Sequence, residues 1–174
     1  MKKHLFLWQC VGFTATVALG SLLHFLFEWT GAFSLAPISA VNESTWEHMK
    51  ILFVPMLIFA CVQFPFFRAE YPSFWWTKLI GILVGILAIP CLFYTFNGAF
   101  GKTPDWLNIT FFFLSAAAAY FVEYLLFRGN FTLRYSWIAF ALLLLLVVLF
   151  TAFTFYPPKV PLFQDPVTAL YGIV

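Results

Sequence analysis

The chain has 174 residues, of which 63% are hydrophobic and 9% are charged, and its mean hydropathy is +0.94. A soluble domain carries about 25% charged residues, so this composition excludes a water-soluble fold and predicts an integral membrane protein. The formal net charge is only +2 and the sequence has no run of basic residues, which argues against a nucleic-acid partner.

Five apolar stretches are long enough to cross a membrane, since a helical span needs about 20 mostly apolar residues. Gly- and Pro-containing turns separate these stretches, and tryptophans lie at several of their ends, as is typical of membrane interfaces. The sequence predicts an all-α fold, a bundle of five transmembrane helices in one domain over residues 1–174. The spans cover about 5–29, 46–67, 76–96, 106–127 and 135–155.

Basic residues are distributed unequally between the two predicted faces of the bundle. An N-terminus inside the cell places six on the inner side (Lys2, Lys3, Arg68, Lys78, Arg128, Arg134) and three on the outer side (Lys50, Lys102, Lys159). The positive-inside rule then predicts an N-in, C-out multi-pass protein of the cell membrane. Its four-proline tail, 156–174, should extend outward over the helix ends. We interpret the apolar run after Lys3 as the first span rather than a cleaved signal peptide, because it continues to Phe27.

Five acidic and histidine side chains lie close together in sequence, where the first predicted span ends and the second begins. The chain has seven Asp and Glu and three His in total, so this group holds half of them. Ionisable groups at the edge of a span are expensive to desolvate and often carry function. The residues are His24, Glu28, Glu43, Glu47 and His48.

His24 and Glu28 are four residues apart and therefore share one face of the first helix. The pair can be two metal ligands, a hydrogen bond that neutralises a carboxylate, or an interfacial pair. Glu47 has capping-box spacing from Ser44, so it can be structural, and it can also pair with Lys50.

His48 lies at a helix N-terminus, where a cation is unfavourable, so we expect a neutral imidazole that acts as a ligand or proton acceptor. Together the five residues can supply ligands for a divalent metal ion. We predict His24, Glu28, Glu43, Glu47 and His48 as metal ligands, and Glu28, Glu47 and His48 as catalytic residues.

A second polar layer is predicted nearer the inner face. It contains Gln9, Gln63 and Glu123, each from a different span. We expect Glu123 to form an ion pair with Arg128 or Arg68 rather than to join the first group.

Small residues complete the pattern of the spans. The three cysteines lie in apolar runs without paired spacing, so we expect small buried hydrophobes: Cys10, Cys61 and Cys91. Gly81, Gly85 and residues 116–119 form small-residue faces that favour close helix packing, within the bundle or between copies in a homo-oligomer.

The stretch Val41-Asn-Glu-Ser-Thr-Trp-Glu-His48 resembles the signature of a family of small bacterial polytopic membrane proteins of unknown function. The wider pattern is PxxAVNESTWEHxK, over 37–50. The tail, with Tyr156-Pro-Pro158 and Gln164-Asp-Pro-Val-Thr168, is also similar to that family. The resemblance implies a polytopic fold and brings no activity.

Three functional classes follow from this pattern. The first is a metal-dependent or acid–base enzyme of the membrane that acts on a lipid or a lipid-linked group. The second is a subunit that binds or transports a small solute. The third is a structural or assembly factor in which the polar group only joins helices.

Overall fold

The computed structural model describes residues 4–102 and 104–173, except for the side chain of Asp105. This part of the chain is all-helical, which confirms the predicted fold class. The helices are α1 Leu5–Thr30, α2 Thr45–Phe67, α3 Phe74–Phe100, α4 Asp105–Arg128 and α5 Ser136–Phe155, with short 3-10 turns at Phe33–Leu35 and Pro161–Phe163. Within the described residues, five helices are long and apolar enough to cross a membrane. The N-in, C-out orientation stays a prediction, and Lys2 and Lys3, on which it partly depends, lie outside the described residues.

Helix ends follow local backbone chemistry. Ser44 caps α2, because its side-chain oxygen accepts a hydrogen bond from the Glu47 N–H at 3.4 Å. The third helix extends beyond the predicted span, through Gly98, and ends at Phe100, with Gly101 as its C-cap. Gly101 has a φ of 86°, which favours glycine, and its N–H donates to the Asn97 carbonyl.

The small-residue faces are used within the bundle, where α3 packs against α4. A Cβ added at Gly85 would lie 3.0 Å from the Ala119 Cβ and 3.3 Å from the Ser115 carbonyl oxygen. A larger residue at Gly85 would therefore separate the two helices.

Glu123 pairs with Lys78, so the prediction of Arg128 or Arg68 as its partner is wrong. The Lys78 Nζ lies 2.5 Å from a Glu123 carboxylate oxygen, and both side chains are almost completely buried between α3 and α4. Four rings surround the ammonium within 5.6 to 5.8 Å: Phe59, Phe74, Tyr120 and Phe127. A lysine four residues into α3 reaches the interior of the bundle, whereas an arginine at the end of α4 sits at its rim.

The other members of this second polar layer are also buried. Gln9 is 4% exposed and Gln63 is fully buried, and among the described residues their amides have no hydrogen-bond partner. The layer is separate from the acid-and-histidine group at the opposite end of α1 and α2.

The expectation of buried cysteines is wrong. Cys10, Cys61 and Cys91 are all exposed and free. The outer surface of a membrane bundle is as apolar as its interior, so an apolar run does not tell which side a small residue faces.

The tail lies over the end of the bundle where α2 begins. Phe163 packs against Trp46 with ring centroids 4.7 Å apart, and the Asn42 amide donates to the Gly172 carbonyl at 2.7 Å. The tail is more folded than its proline content predicts, because Gln164 and Tyr171 form a β-bridge across a turn.

Candidate metal centre

The loop between α1 and α2 brings Glu43 between the two histidines. Gly31 ends α1 with a φ of 61°, in the left-handed region. At the other end of the loop, the Asn42 side-chain oxygen accepts from the Ser44 N–H at 2.8 Å, which forms a tight turn just before α2. This turn directs Glu43 toward His24 on α1 and His48 on α2.

Glu43 is the centre of the group. One of its carboxylate oxygens lies 3.5 Å from His24 Nε2 and 3.7 Å from His48 Nε2. One potential ligand atom from each residue lies within 4.8 Å of the others. Four-coordinate zinc, with bonds of about 2.0–2.1 Å, needs donors about 3.3–3.4 Å apart. Small side-chain movements would therefore let the three donors bind one ion.

His48 is held in the tautomer that a metal site requires. Its Nδ1 lies 2.9 Å from the Ser44 carbonyl oxygen, which can only accept a hydrogen bond. The ring proton is therefore assigned to Nδ1, which leaves the Nε2 lone pair directed at the Glu43 side of the group. Backbone carbonyls commonly orient metal-binding imidazoles in this way.

The electrostatic environment favours an ionised Glu43. The hydrogen bond from His24 lowers the pKa of Glu43, although partial burial acts in the opposite direction. The Glu43 side chain is 47% exposed, against 22% and 21% for His24 and His48. The group therefore has one anionic donor with access to solvent and two imidazoles that are more shielded.

A cavity of about 550 Å³ lies directly beside the group. Its polar lining residues are Ser21, the two histidines, Glu43, Thr45 and Asn108, and the rest of its wall is apolar. The apolar lining residues are Gly20, Phe25, Ile51, Ile89, Phe93, Ile109, Phe111, Phe112, Phe113 and Val167. Ligand sites are typically apolar cavities of about 300–1,000 Å³ with a few convergent polar groups.

Glu47, which was predicted as a ligand and a catalytic residue, lies in a separate buried network. Its carboxylate accepts from the Val41 N–H at 3.1 Å and pairs with Lys50 at 2.5 Å. Lys50 also donates to the Ala36 carbonyl and to the Thr154 hydroxyl. The expected Glu47–Lys50 pair is present, and it joins α2 to the first loop and to α5.

Glu28 is also apart from the three convergent residues. It is exposed, one helical turn beyond His24, and neither the cavity wall nor the group of possible metal donors includes it. The structure thus brings together His24, Glu43 and His48 from the five predicted residues.

For several cavity residues, we found no sequence pattern that predicted their place in the site. Ser21, Thr45 and Val167 line the cavity, and Val167 comes from the tail. Asn108 lines the cavity from the first turn of α4. The apolar lining residues come from four helices and the tail, and they could only be found after these elements were assembled.

The fold and the site define a multi-pass helical membrane protein with a polar group at one end of its bundle. Comparison with protein families gives the further assignment: residues 1–173 match a family of unknown function (DUF6512), and the chain belongs to that family. The resemblance noted from the sequence is confirmed to this extent. Neither the curated proteins nor the solved structures contain a match to this chain.

Proposed function

We propose that the protein is a metal-dependent membrane enzyme that hydrolyses an ester or phosphoester bond in a lipid or a lipid-linked group. His24, Glu43 and His48 would hold one divalent ion. The observation that carries this proposal is the convergence of their three donor atoms within 4.8 Å beside the cavity. Two imidazoles and one carboxylate, with a fourth position open, form a ligand set of catalytic zinc sites.

The same ligand set also binds ferrous iron in oxygenases, with octahedral geometry. Zinc suits the proposed hydrolysis, because it has no redox chemistry, activates a bound water and acts as a Lewis acid.

The bound ion and Glu43 would have distinct roles in this reaction. A divalent ion at this position would lower the pKa of a bound water to about 7 and polarise the ester oxygen. Glu43 reduces the net charge of the site and, being half-exposed, stands where solvent water can reach it. In the net reaction water supplies the hydroxyl that bonds to the acyl or phosphoryl centre, the bond to the leaving oxygen breaks, and that oxygen takes the remaining proton.

A second candidate function is supported by the cavity alone. Its volume of about 550 Å³ also suits a small amphipathic solute that is bound or transported without chemical change. Incubation of the purified protein with a membrane lipid extract, followed by mass spectrometry, distinguishes the two. Hydrolysis yields new products that require the metal, whereas binding retains an unchanged molecule.

Metal analysis of the purified protein tests the proposed site. After incubation with zinc and removal of free metal, the wild-type protein should retain one ion per chain. Glu43→Gln should lose it, because the amide keeps the side-chain volume but lacks the anionic donor. Glu28→Gln is the matched control, since it makes the same chemical change at an exposed neighbouring carboxylate and should keep the metal. Wild-type protein without stoichiometric metal, or equal retention by Glu43→Gln, would overturn the proposal.

A further inference from the structure

Four residues that line the cavity also face the outer surface of the bundle. Ser21 and Phe25 lie on α1, and Ile109 and Phe113 lie on α4. All four are exposed, and Phe25, Ile109 and Phe113 are 43%, 60% and 40% exposed. Side chains that line the cavity and also face outward mark the place where it opens.

The opening between α1 and α4, called the gap below, lies at the depth of the lipid chains. Trp29 and Trp106 are each 65% exposed at the ends of their apolar helices, where indole rings prefer the membrane interface. Phe25 lies four residues inside Trp29, and Phe113 lies seven residues inside Trp106. At 1.5 Å per residue, the gap is about 5–10 Å below the level of the tryptophans. It therefore faces the hydrocarbon part of the bilayer.

The cavity lining has both polar and apolar residues, as an amphipathic lipid requires. Glu43, Thr45 and His48, which lie where α2 begins, line the cavity together with Val167 of the tail. Ile51, further along α2, and Ile89 on α3 also line it and are only 2% and 5% exposed, so we call them the rear residues. The polar residues can accept a polar head, and the rest can accept hydrocarbon.

We infer that the cavity takes a membrane lipid directly from the bilayer, through the gap between α1 and α4. The head lies at His24, Glu43 and His48, and a hydrocarbon chain leaves between Phe25 and Phe113. The reaction at the head rests on the proposed function, but the route of access and the chain-bearing occupant depend only on the cavity and its opening.

Photocrosslinking in vesicles tests this route. The full-length protein is reconstituted in phosphatidylcholine vesicles that contain a minor fraction of phosphatidylcholine with a diazirine on its acyl chain. After illumination, crosslinked residues are mapped by mass spectrometry. Lipid around the bundle can reach outward-facing residues such as Leu22, which is 46% exposed, but it cannot reach Ile51 or Ile89. Crosslinks at these two rear residues therefore report a chain inside the cavity.

Blocking variants make the test specific. Ser21→Trp should fill the gap and abolish the rear crosslinks while crosslinks at the outer surface persist. Leu22→Trp, an exposed position on α1 outside the cavity lining, should leave the rear crosslinks intact. If Ser21→Trp fails to fold, Ile109→Trp with Leu114→Trp as its control repeats the comparison from α4.

Metal content, measured on the same samples, separates this inference from the proposed function. Rear crosslinks that are absent from the wild-type protein, or that persist in both blocking variants, would overturn lipid access through the gap whatever the metal content. Persistence in the blocking variants would instead indicate access past the tail. Normal crosslinks in a protein that binds no metal would overturn the enzyme proposal and leave the route supported.

Discussion

Replacement of Glu47 by glutamine should destabilise the bundle strongly without removing bound metal. Lys50 is fully buried, and Glu47, at 2.5 Å, is its charged partner. After the replacement Lys50 would keep only neutral partners, the Ala36 carbonyl and the Thr154 hydroxyl. Breaking a buried ion pair by removing one partner costs about 3–5 kcal/mol, because the other charge remains buried and uncompensated. We expect a loss of this size in the free energy of unfolding.

The assay is reversible unfolding in mixed micelles by titration with sodium dodecyl sulfate, followed by circular dichroism. A double variant, Glu47→Gln with Lys50→Met, should recover most of the loss, since it removes both charges and keeps similar volumes. Glu43→Gln is the control, and at a half-exposed position it should cost no more than about 1 kcal/mol. If Glu47→Gln leaves the stability unchanged and releases metal, Glu47 is a ligand and its structural assignment is refuted.

Three further predictions concern pH, the second ion pair and topology. Metal retention should fall as the pH is lowered, because metal ligands must be deprotonated and protons compete with the ion for its donors. The lowered pKa of Glu43 keeps its carboxylate ionised further into acid than that of an ordinary glutamate, and constant retention in equilibrium dialysis across the pH series would contradict the prediction. Glu123→Gln should lower the free energy of unfolding by about 3–5 kcal/mol, and combining it with Lys78→Met should restore most of this loss. Equal stability of the single and the double variant in the same titration would refute the role of the pair. A reporter fused after the last residue should be active only on the outer face, and cytoplasmic activity would reverse the predicted orientation.

Much of the fold could be predicted from the sequence, because the local apolar composition identifies each membrane span. Length and apolar character alone indicate five helices, and the helices found lie within a few residues of the predicted spans. The third predicted span ends at about residue 96, whereas α3 continues through Gly98, because a single glycine costs a helix only about 1 kcal/mol.

The candidate site could be located but not resolved from the sequence. The five acidic and histidine residues were correctly expected at one end of the bundle, where α1 ends and α2 begins. Which of them meet depends on the path of the loop and the rotation of each helix. The turn at Asn42 directs Glu43 to the histidines, and Glu47 instead faces Lys50 and the Val41 N–H.

Long-range pairing was the least predictable feature. Glu123 has arginines near it in the predicted topology, yet its partner Lys78 lies 45 residues earlier in the chain. Lys78 had been counted among the inner basic residues and Lys50 among the outer ones. Both are buried in ion pairs, so neither is a surface charge, and their removal from opposite sides leaves the direction of the charge asymmetry unchanged.

X-ray absorption spectroscopy at the zinc edge, on the zinc-loaded protein, tests the central claim most directly. The account predicts a four-coordinate ion with two imidazole nitrogens and one carboxylate oxygen at about 2.0–2.2 Å, and loss of the imidazole scattering from one ring in His24→Ala. A spectrum that contains only water and oxygen ligands, or that is identical in wild-type and His24→Ala protein, would contradict a metal centre built from His24, Glu43 and His48.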